Sequence, residues 1–451
     1  MRELLKATAE RASRYLENLN DRPLAPTPEA VERLKNFDVP MPAHPTDPAR
    51  VLELLDELGS PATVASAGRR YFGFVIGGVL PAALAANWLA GAWDQCAGLY
   101  TLSPIASHLE EVAIKWLLDV LGLPAEAGGG FVTGATMANF TCLAAARHAV
   151  LAKSGWDVEA QGLFGAPPVT VVVGQDVHVS LLKALSLLGF GRERVLRVPA
   201  DAQGRMRPDL FPQISGPAIV CIQAGEVNTG AFDPATEICD RAHQGGAWVH
   251  VDGAFGLWAA ASPARAHLTV GLRDADSWAT DTHKWLNVPY DSGMAMVRDT
   301  RHLTAAMSTN AAYLVHVDKR EPNLYVPEMS RRARAVEIWA ALMSLGRSGL
   351  VDLIERNCRH AARFAEGLSA AGWTILNQVV LNQVLVSFGD DDATRRVIAA
   401  LQADGTCWCG GTVWRGRTAM RISVSSWATT DEDVERSLAA MLRIAAAAAR
   451  P

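Results

Sequence analysis

Paired cysteines, surplus charge and long apolar runs are all missing from this chain, and lysine is scarce. Seven cysteines are scattered over 451 residues with no CxxC spacing, which argues against a disulfide framework and for reduced thiols in a cytoplasmic protein. Cys407 and Cys409 flank Trp408, but no His or Cys cluster completes a metal site, so no metal is expected. The formal net charge is only −5; acids and bases are interspersed, and no basic block is present to hold nucleic acid or an anionic membrane. The longest apolar run, VLPAALAANWLAGAW at residues 79–93, is too short and interrupted for a bilayer span. It reads as a buried helix beginning near Pro81. Residues 1–19 mix charged and apolar side chains at helical spacing, unlike the continuous apolar stretch of a signal peptide.

Only seven of the 42 basic side chains are lysine. Lys6, Lys35, Lys115 and Lys183 fall on polar faces of amphipathic helices, Lys153 trails a helix, and Lys319 sits in the charged DKRE. Lys284 is different: it lies between His283 and Trp285, behind an apolar stretch and just before the strand-like GMAMV. Desolvation favours a neutral amine, the form that attacks a carbonyl to make a Schiff base. The plain alternative is a lysine that reaches solvent or pairs with Asp281 or Asp291.

Residues 1–75 hold two amphipathic helical patterns separated by proline-rich linkers, an extension that needs another surface to cover its apolar faces. YFGFVIGG at 71–78 reads either as a core turn or as a pocket wall. Residues 76–330 alternate strand and helix: GGGFV, VTVVVG, AIVCIQA, AWVHVDG and the Lys284 region supply runs of Val, Ile and Ala. That pattern predicts a mostly parallel sheet covered by helices on both faces. Residues 331–451 read as a long helix, bent at Gly346 and Gly349, followed by a smaller α+β domain with the short strands TILNQ, QVLVSFG and MRISVS.

Ligands of such sheets bind beyond the carboxyl ends of the strands, and four features fall there. Gly134, Ala135 and Thr136 open a helix with small residues, where free N–H groups and the helix dipole suit an anion. His178 opens the next helix, where its ring either caps the turn or stacks on a flat ligand. Asp252 ends an apolar strand before small Ala254; it either caps local backbone or pairs with a protonated ring nitrogen. Lys284 is the fourth. One ligand accounts for all of them, a phosphorylated aromatic aldehyde.

The motifs GATMAN, DVHVS, NTGAFDP, HVDGAFG and THKWLNVPYDSG, in that order, resemble the group II pyridoxal-phosphate-dependent amino-acid decarboxylases, the family of aromatic amino-acid and glutamate decarboxylases. The likeness runs from YFGF through SPIASHLEE to MRISVSSW. It implies a fold-type I, transferase-like α/β homodimer with its active site at the subunit interface, and pyridoxal 5′-phosphate as cofactor. It further implies that Lys284 forms the internal aldimine, that His178 stacks on the ring, that Asp252 pairs with the ring nitrogen and that Ala254 touches the opposite face. By the same resemblance Ala135, Thr136 and His283 hold the phosphate, Asn228 lies near the phenolic oxygen, and Tyr325, or else Tyr313, returns a proton to the product. Asp281 and Thr282 depart from the Asn and Pro of many relatives, and Gly98 stands near a position where aromatic decarboxylases carry a bulky ring. The reaction expected is decarboxylation of an L-amino acid. An aminotransferase using Arg421 as carboxylate clamp, an aldehyde synthase, a carbon–carbon lyase and a non-catalytic relative are the alternatives.

Overall fold

A computed structural model describes residues 1–309 and 318–448 of the protein. The chain divides into two compact units, Gly77–Ala362 with Asn377–Val384, and Met1–Ile76 with Arg363–Leu376 and Leu385–Pro451. The N-terminal extension therefore groups with the C-terminal α+β part, and the boundary expected at residue 330 falls at 362. The helix Ala335–Ala370 explains the shift. It is interrupted at Gly346, where φ is 58°, and its first turn places Val336 in a small core with Ala86, Ala97 and Ala106. Further along, Phe364 meets Phe72 edge to face at 5.1 Å.

The larger unit is built on a seven-stranded sheet. Its strands are β1 (Gly128–Val132), β2 (Thr170–Gly174), β3 (Leu196–Val198), β4 (Ala218–Gln223), β5 (Trp248–Asp252), β6 (Ser277–Asp281) and β7 (Gly293–Val297), in the order β1-β7-β6-β5-β4-β2-β3. β3, β2, β4, β5 and β6 are parallel. β7 runs antiparallel to both β6 and β1, because residues 282–292 turn back directly, without the crossover helix that a parallel pair requires. The central strands are buried along their whole length, as continuous apolar sequence demands of a sheet covered on both faces. The Ala135–Ala152 helix lies on one face. Its Ala138, Cys142, Ala145 and Ala149 pack with Val132, Val173, Ile219 and Ala295 in a core where small helix residues permit a close approach.

In the other unit, Leu19 and Leu24 cover Ala65 and Tyr71, and Arg22 binds the carbonyls of Ser60, Pro61 and Thr63 at the end of the Pro48–Ala62 helix. The extension thus finds part of its cover within its own unit. Tyr71 stacks on Trp408 at 4.9 Å, while Phe74 is exposed, so YFGF is part core and part surface. A four-stranded sheet completes the unit: β8 (Thr374–Ile375), β9 (Gln383–Ser387), β10 (Gly410–Trp414) and β11 (Arg417–Ser423), in the order β10-β11-β9-β8. No described helix is long and apolar enough to cross a membrane.

Candidate active site

Three of the four expected features follow or end β1, β5 and β6, and Asp281 joins two of them, Lys284 and the helix opening at Ala135. Lys284 follows β6 in the turn that leads to β7, and its Nζ lies 2.9 Å from Asp281 Oδ2. Asp281 Oδ1 accepts the N–H of Ala135 at 2.5 Å, the first residue of the helix that follows β1. The pairing foreseen as the plain alternative for Lys284 is therefore present, and the same carboxylate caps the N-terminus of the helix expected to hold an anion. The Lys284 side chain is 19% exposed and that of Asp281 4%, so the lysine keeps some contact with solvent while its partner is buried. Trp258 Nε1 donates to the Asp281 carbonyl at 3.0 Å, and the Asp281 N–H donates to the Ala254 carbonyl at 2.8 Å, tying β6 to the Asp252 turn.

His283 is fixed by the opposite side of the turn. Its Nδ1 accepts the Ser292 N–H at 3.1 Å, which leaves Nε2 to carry the proton and face Asp281 Oδ1 at 3.5 Å. Burial holds its pKa below the ordinary histidine value. Tyr290 covers the ring with centroids 4.3 Å apart. Close backbone packing shapes the floor: a Cβ on Gly293 would lie 2.5 Å from Gly134 Cα, and one on Gly77 would lie 2.0 Å from the Lys284 carbonyl oxygen.

Asp252 is buried at the end of β5. Asn139 Nδ2 donates to its Oδ2 at 3.0 Å and the Ala254 N–H to its Oδ1 at 3.3 Å, so the expected local cap is partly realised. Asn139 Oδ1 lies 2.9 Å from His250 Nε2. His178 and Asn228 follow β2 and β4, the strands beyond β5, and are held by local bonds. His178 is the N-cap of its helix, its Nδ1 facing Ser180 Oγ at 2.7 Å and the Ser180 N–H at 3.3 Å. Asn228 is clasped by Glu226, whose carboxylate accepts its amide at 2.9 Å and the backbone N–H groups of Asn228 and Thr229 at 2.8 Å. Burial raises the Glu226 pKa above the usual carboxylate range.

The remaining candidates lie elsewhere. Tyr325 packs against Gly130, in the middle of β1, beneath the Arg320 guanidinium at 4.1 Å, and Arg320 in turn pairs with buried Glu110 at 2.9 Å. Tyr313 lies outside the described residues. Arg421 is in β11, opposite Gly410 and in the other unit from Lys284. Gly98 has a packing reason: a Cβ there would meet the Met329 carbonyl oxygen at 2.1 Å, so its lack of a side chain is no evidence for a roomier ligand pocket. Sequence reasoning missed Asn139, His250 and Glu226. Asn139 lies within a largely apolar helix, and only the fold brings it to an aspartate 113 residues away.

An amine, a buried carboxylate, a small residue beside it and a helix N-terminus fit a phosphorylated heteroaromatic aldehyde. Residues 32–388 match the family model described as pyridoxal-dependent decarboxylase conserved domain. The chain is 33% identical over 381 residues to the L-2,4-diaminobutyrate decarboxylase of Rhizobium meliloti (strain 1021), covering 80% of this chain and 74% of that one. It is 27% identical over 386 residues to the aromatic-L-amino-acid decarboxylase of Bacillus atrophaeus, covering 82% and 77%. The fold is similar to that of Oryza sativa TDC solved with PLP and tryptamine (TM-score 0.91, 23% identity, 99% and 97% covered). It is also similar to that of mouse CSAD (TM-score 0.89, 22% identity, 98% of each chain covered). The chain belongs to the pyridoxal-dependent decarboxylase family, carboxy-lyases that work with pyridoxal 5′-phosphate.

Proposed function

We propose that this enzyme decarboxylates an L-amino acid to its amine and CO2, with Lys284 as the amine that holds the cofactor's aldehyde. The observation that carries the reading is that Lys284, just past the end of β6, and Asp252, at the end of neighbouring β5, follow paired strands, with Asp281 joining Lys284 to the N-terminus of the Ala135–Ala152 helix. When bound, the cofactor supplies a protonated ring that takes up the electron pair released with CO2. Asp252 presents a buried acceptor to the ring nitrogen, and a pre-oriented charge in a dry site is worth far more than one in water. His178, held through Nδ1 by its own helix, presents a fixed ring face, with Ala254 on the other side. Ala135, Thr136 and His283 hold the phosphate, for which the Asp281 carboxylate would have to give up the Ala135 N–H, and Asn228 lies near the phenolic oxygen. Tyr325, with Tyr313 second, is the proposed donor of the proton that replaces the carboxyl group, a role for which Tyr325 would have to leave its place beneath Arg320.

The relative named for L-2,4-diaminobutyrate puts that diamino acid first in a substrate panel, ahead of aromatic and acidic amino acids. Assaying the panel separately for CO2, peroxide and keto acid tests the reaction type; keto acid without CO2 would refute decarboxylation. Purified protein should absorb in the visible, and Lys284→Ala should abolish that band. The working form is a homodimer, tested by mass in solution. We assign it to the cytoplasm because all seven cysteines are free thiols, an assignment tested by fractionation.

A further inference from the structure

Behind Asp252 runs a buried string of polar groups that the proposed chemistry does not use. Asn139, His250 and Ser277 are fully buried and Trp248 nearly so. Asn139 Nδ2 donates to Asp252 Oδ2 at 3.0 Å, and Asn139 Oδ1 faces His250 Nε2 at 2.9 Å. His250 Nδ1 faces Ser277 Oγ at 2.9 Å, and Trp248 Nε1 donates to the same oxygen at 2.8 Å.

Both ends of this string have a fixed sense. An indole N–H can only donate, and a carboxylate can only accept. Ser277 Oγ receives the indole proton and turns its own O–H onto His250 Nδ1. The single imidazole proton then sits on Nε2 and is given to Asn139 Oδ1, which leaves the amide NH2 for Asp252. Flipping the amide would set oxygen against carboxylate and N–H against NH2, losing two buried hydrogen bonds together. Burial supports the neutral ring by pushing the His250 pKa down to about 3.

We infer that Trp248, Ser277, His250 and Asn139 form a one-way hydrogen-bond relay, in which Asn139 is a positioning residue that sets the rotation of the Asp252 carboxylate for the cofactor's ring nitrogen. The inference rests on the reading of Asp252 given above. It goes further by assigning a function to a helix asparagine and one tautomer to a buried histidine. Every donor in the relay points toward the site, so the last one reaches Asp252 with no alternative partner to compete for it.

Two measurements test the relay. The first uses wild-type protein labelled with 15N-histidine, with His250→Gln to assign the resonance, and needs no activity. The His250 ring should be neutral and protonated at Nε2 from about pH 5 to 8; a ring protonated at Nδ1, or charged, overturns the relay. The second compares retention of pyridoxal 5′-phosphate by Asn139→Leu and Asp252→Asn, in dialysed protein without substrate. Losing one donor to a carboxylate should weaken retention roughly tenfold to a hundredfold in Asn139→Leu. If Asp252→Asn loses cofactor while Asn139→Leu retains it like the wild type, the relay is refuted and the role of Asp252 stands. If both retain it, the role of Asp252 fails as well. Should Asn139→Leu not fold, the tautomer in the wild-type protein still decides.

Discussion

Acidification should unfold this protein partly through one histidine. His250 is fully buried and its pKa is pushed down to about 3 by burial. In the unfolded chain the same ring titrates near 6.5. Below that value the unfolded state binds a proton that the folded state refuses, so stability falls as pH falls, from the unfolded pKa down toward the folded one. Each unit below 6.5 removes about 1.4 kcal/mol, and between pH 7 and pH 5 the loss is about 2 kcal/mol. Asp233, buried and raised to about 6, works in the opposite direction over part of the range, because its folded form binds the proton more readily. His250→Gln removes only the histidine contribution, so the informative quantity is the difference in slope. Urea unfolding followed by the fluorescence of the 13 tryptophans, at several pH values, gives both slopes. The variant should start less stable, having lost buried hydrogen bonds, but its stability should fall by about 2 kcal/mol less between pH 7 and 5. Parallel slopes would refute the reasoning, since they would mean that the folded ring takes up its proton as easily as the unfolded one.

The other expectations concern the Lys284 turn and its surroundings. Asp281→Ala removes the carboxylate that joins Lys284 to the Ala135 N–H; cofactor-free protein should lose about 3 kcal/mol in chemical unfolding, and a change under about 1 kcal/mol would contradict a structural pair. Gly77→Ala puts a methyl group 2.0 Å from the Lys284 carbonyl oxygen. It should cost about 1–3 kcal/mol and displace the lysine, read as a lower melting temperature together with a weaker visible band; an unchanged band would argue against it. Gly98→Ala, 2.1 Å from the Met329 carbonyl oxygen, should destabilise by a similar amount for every substrate alike; a selective change in substrate preference would show that Gly98 lines the ligand pocket after all.

Much of the larger unit was legible in the sequence because its strands are buried on both faces, which writes them as unbroken runs such as AIVCIQ and WVHVD. The antiparallel sense of β7 was harder to read, since GMAMV has the composition of its parallel neighbours and only the missing crossover helix sets it apart. The grouping of the two ends of the chain was not legible, because proximity such as that of Tyr71 to Trp408 leaves no mark in local periodicity. In the site, Lys284 and Asp252 stood out as residues poorly suited to their apolar surroundings, and the helix opening at Ala135 for its small residues after a strand. Asn139 and His250 did not stand out. Each satisfies the other 111 residues away, and a polar group that is fully satisfied looks locally like any other polar group.

At one point beneath the Lys284 turn, main chain crosses main chain with no side chain between. Where Gly293 crosses Gly134, a Cβ on Gly293 would lie 2.5 Å from Gly134 Cα, so the depth at this crossing is set by two backbones in contact. A depth set in this way cannot be adjusted one side chain at a time. Enlarging or narrowing the site of this chain must therefore proceed through its rim, where loops tolerate change, while the crossing beneath keeps its shape. The crossing acts as a fixed datum from which every distance in the site is measured.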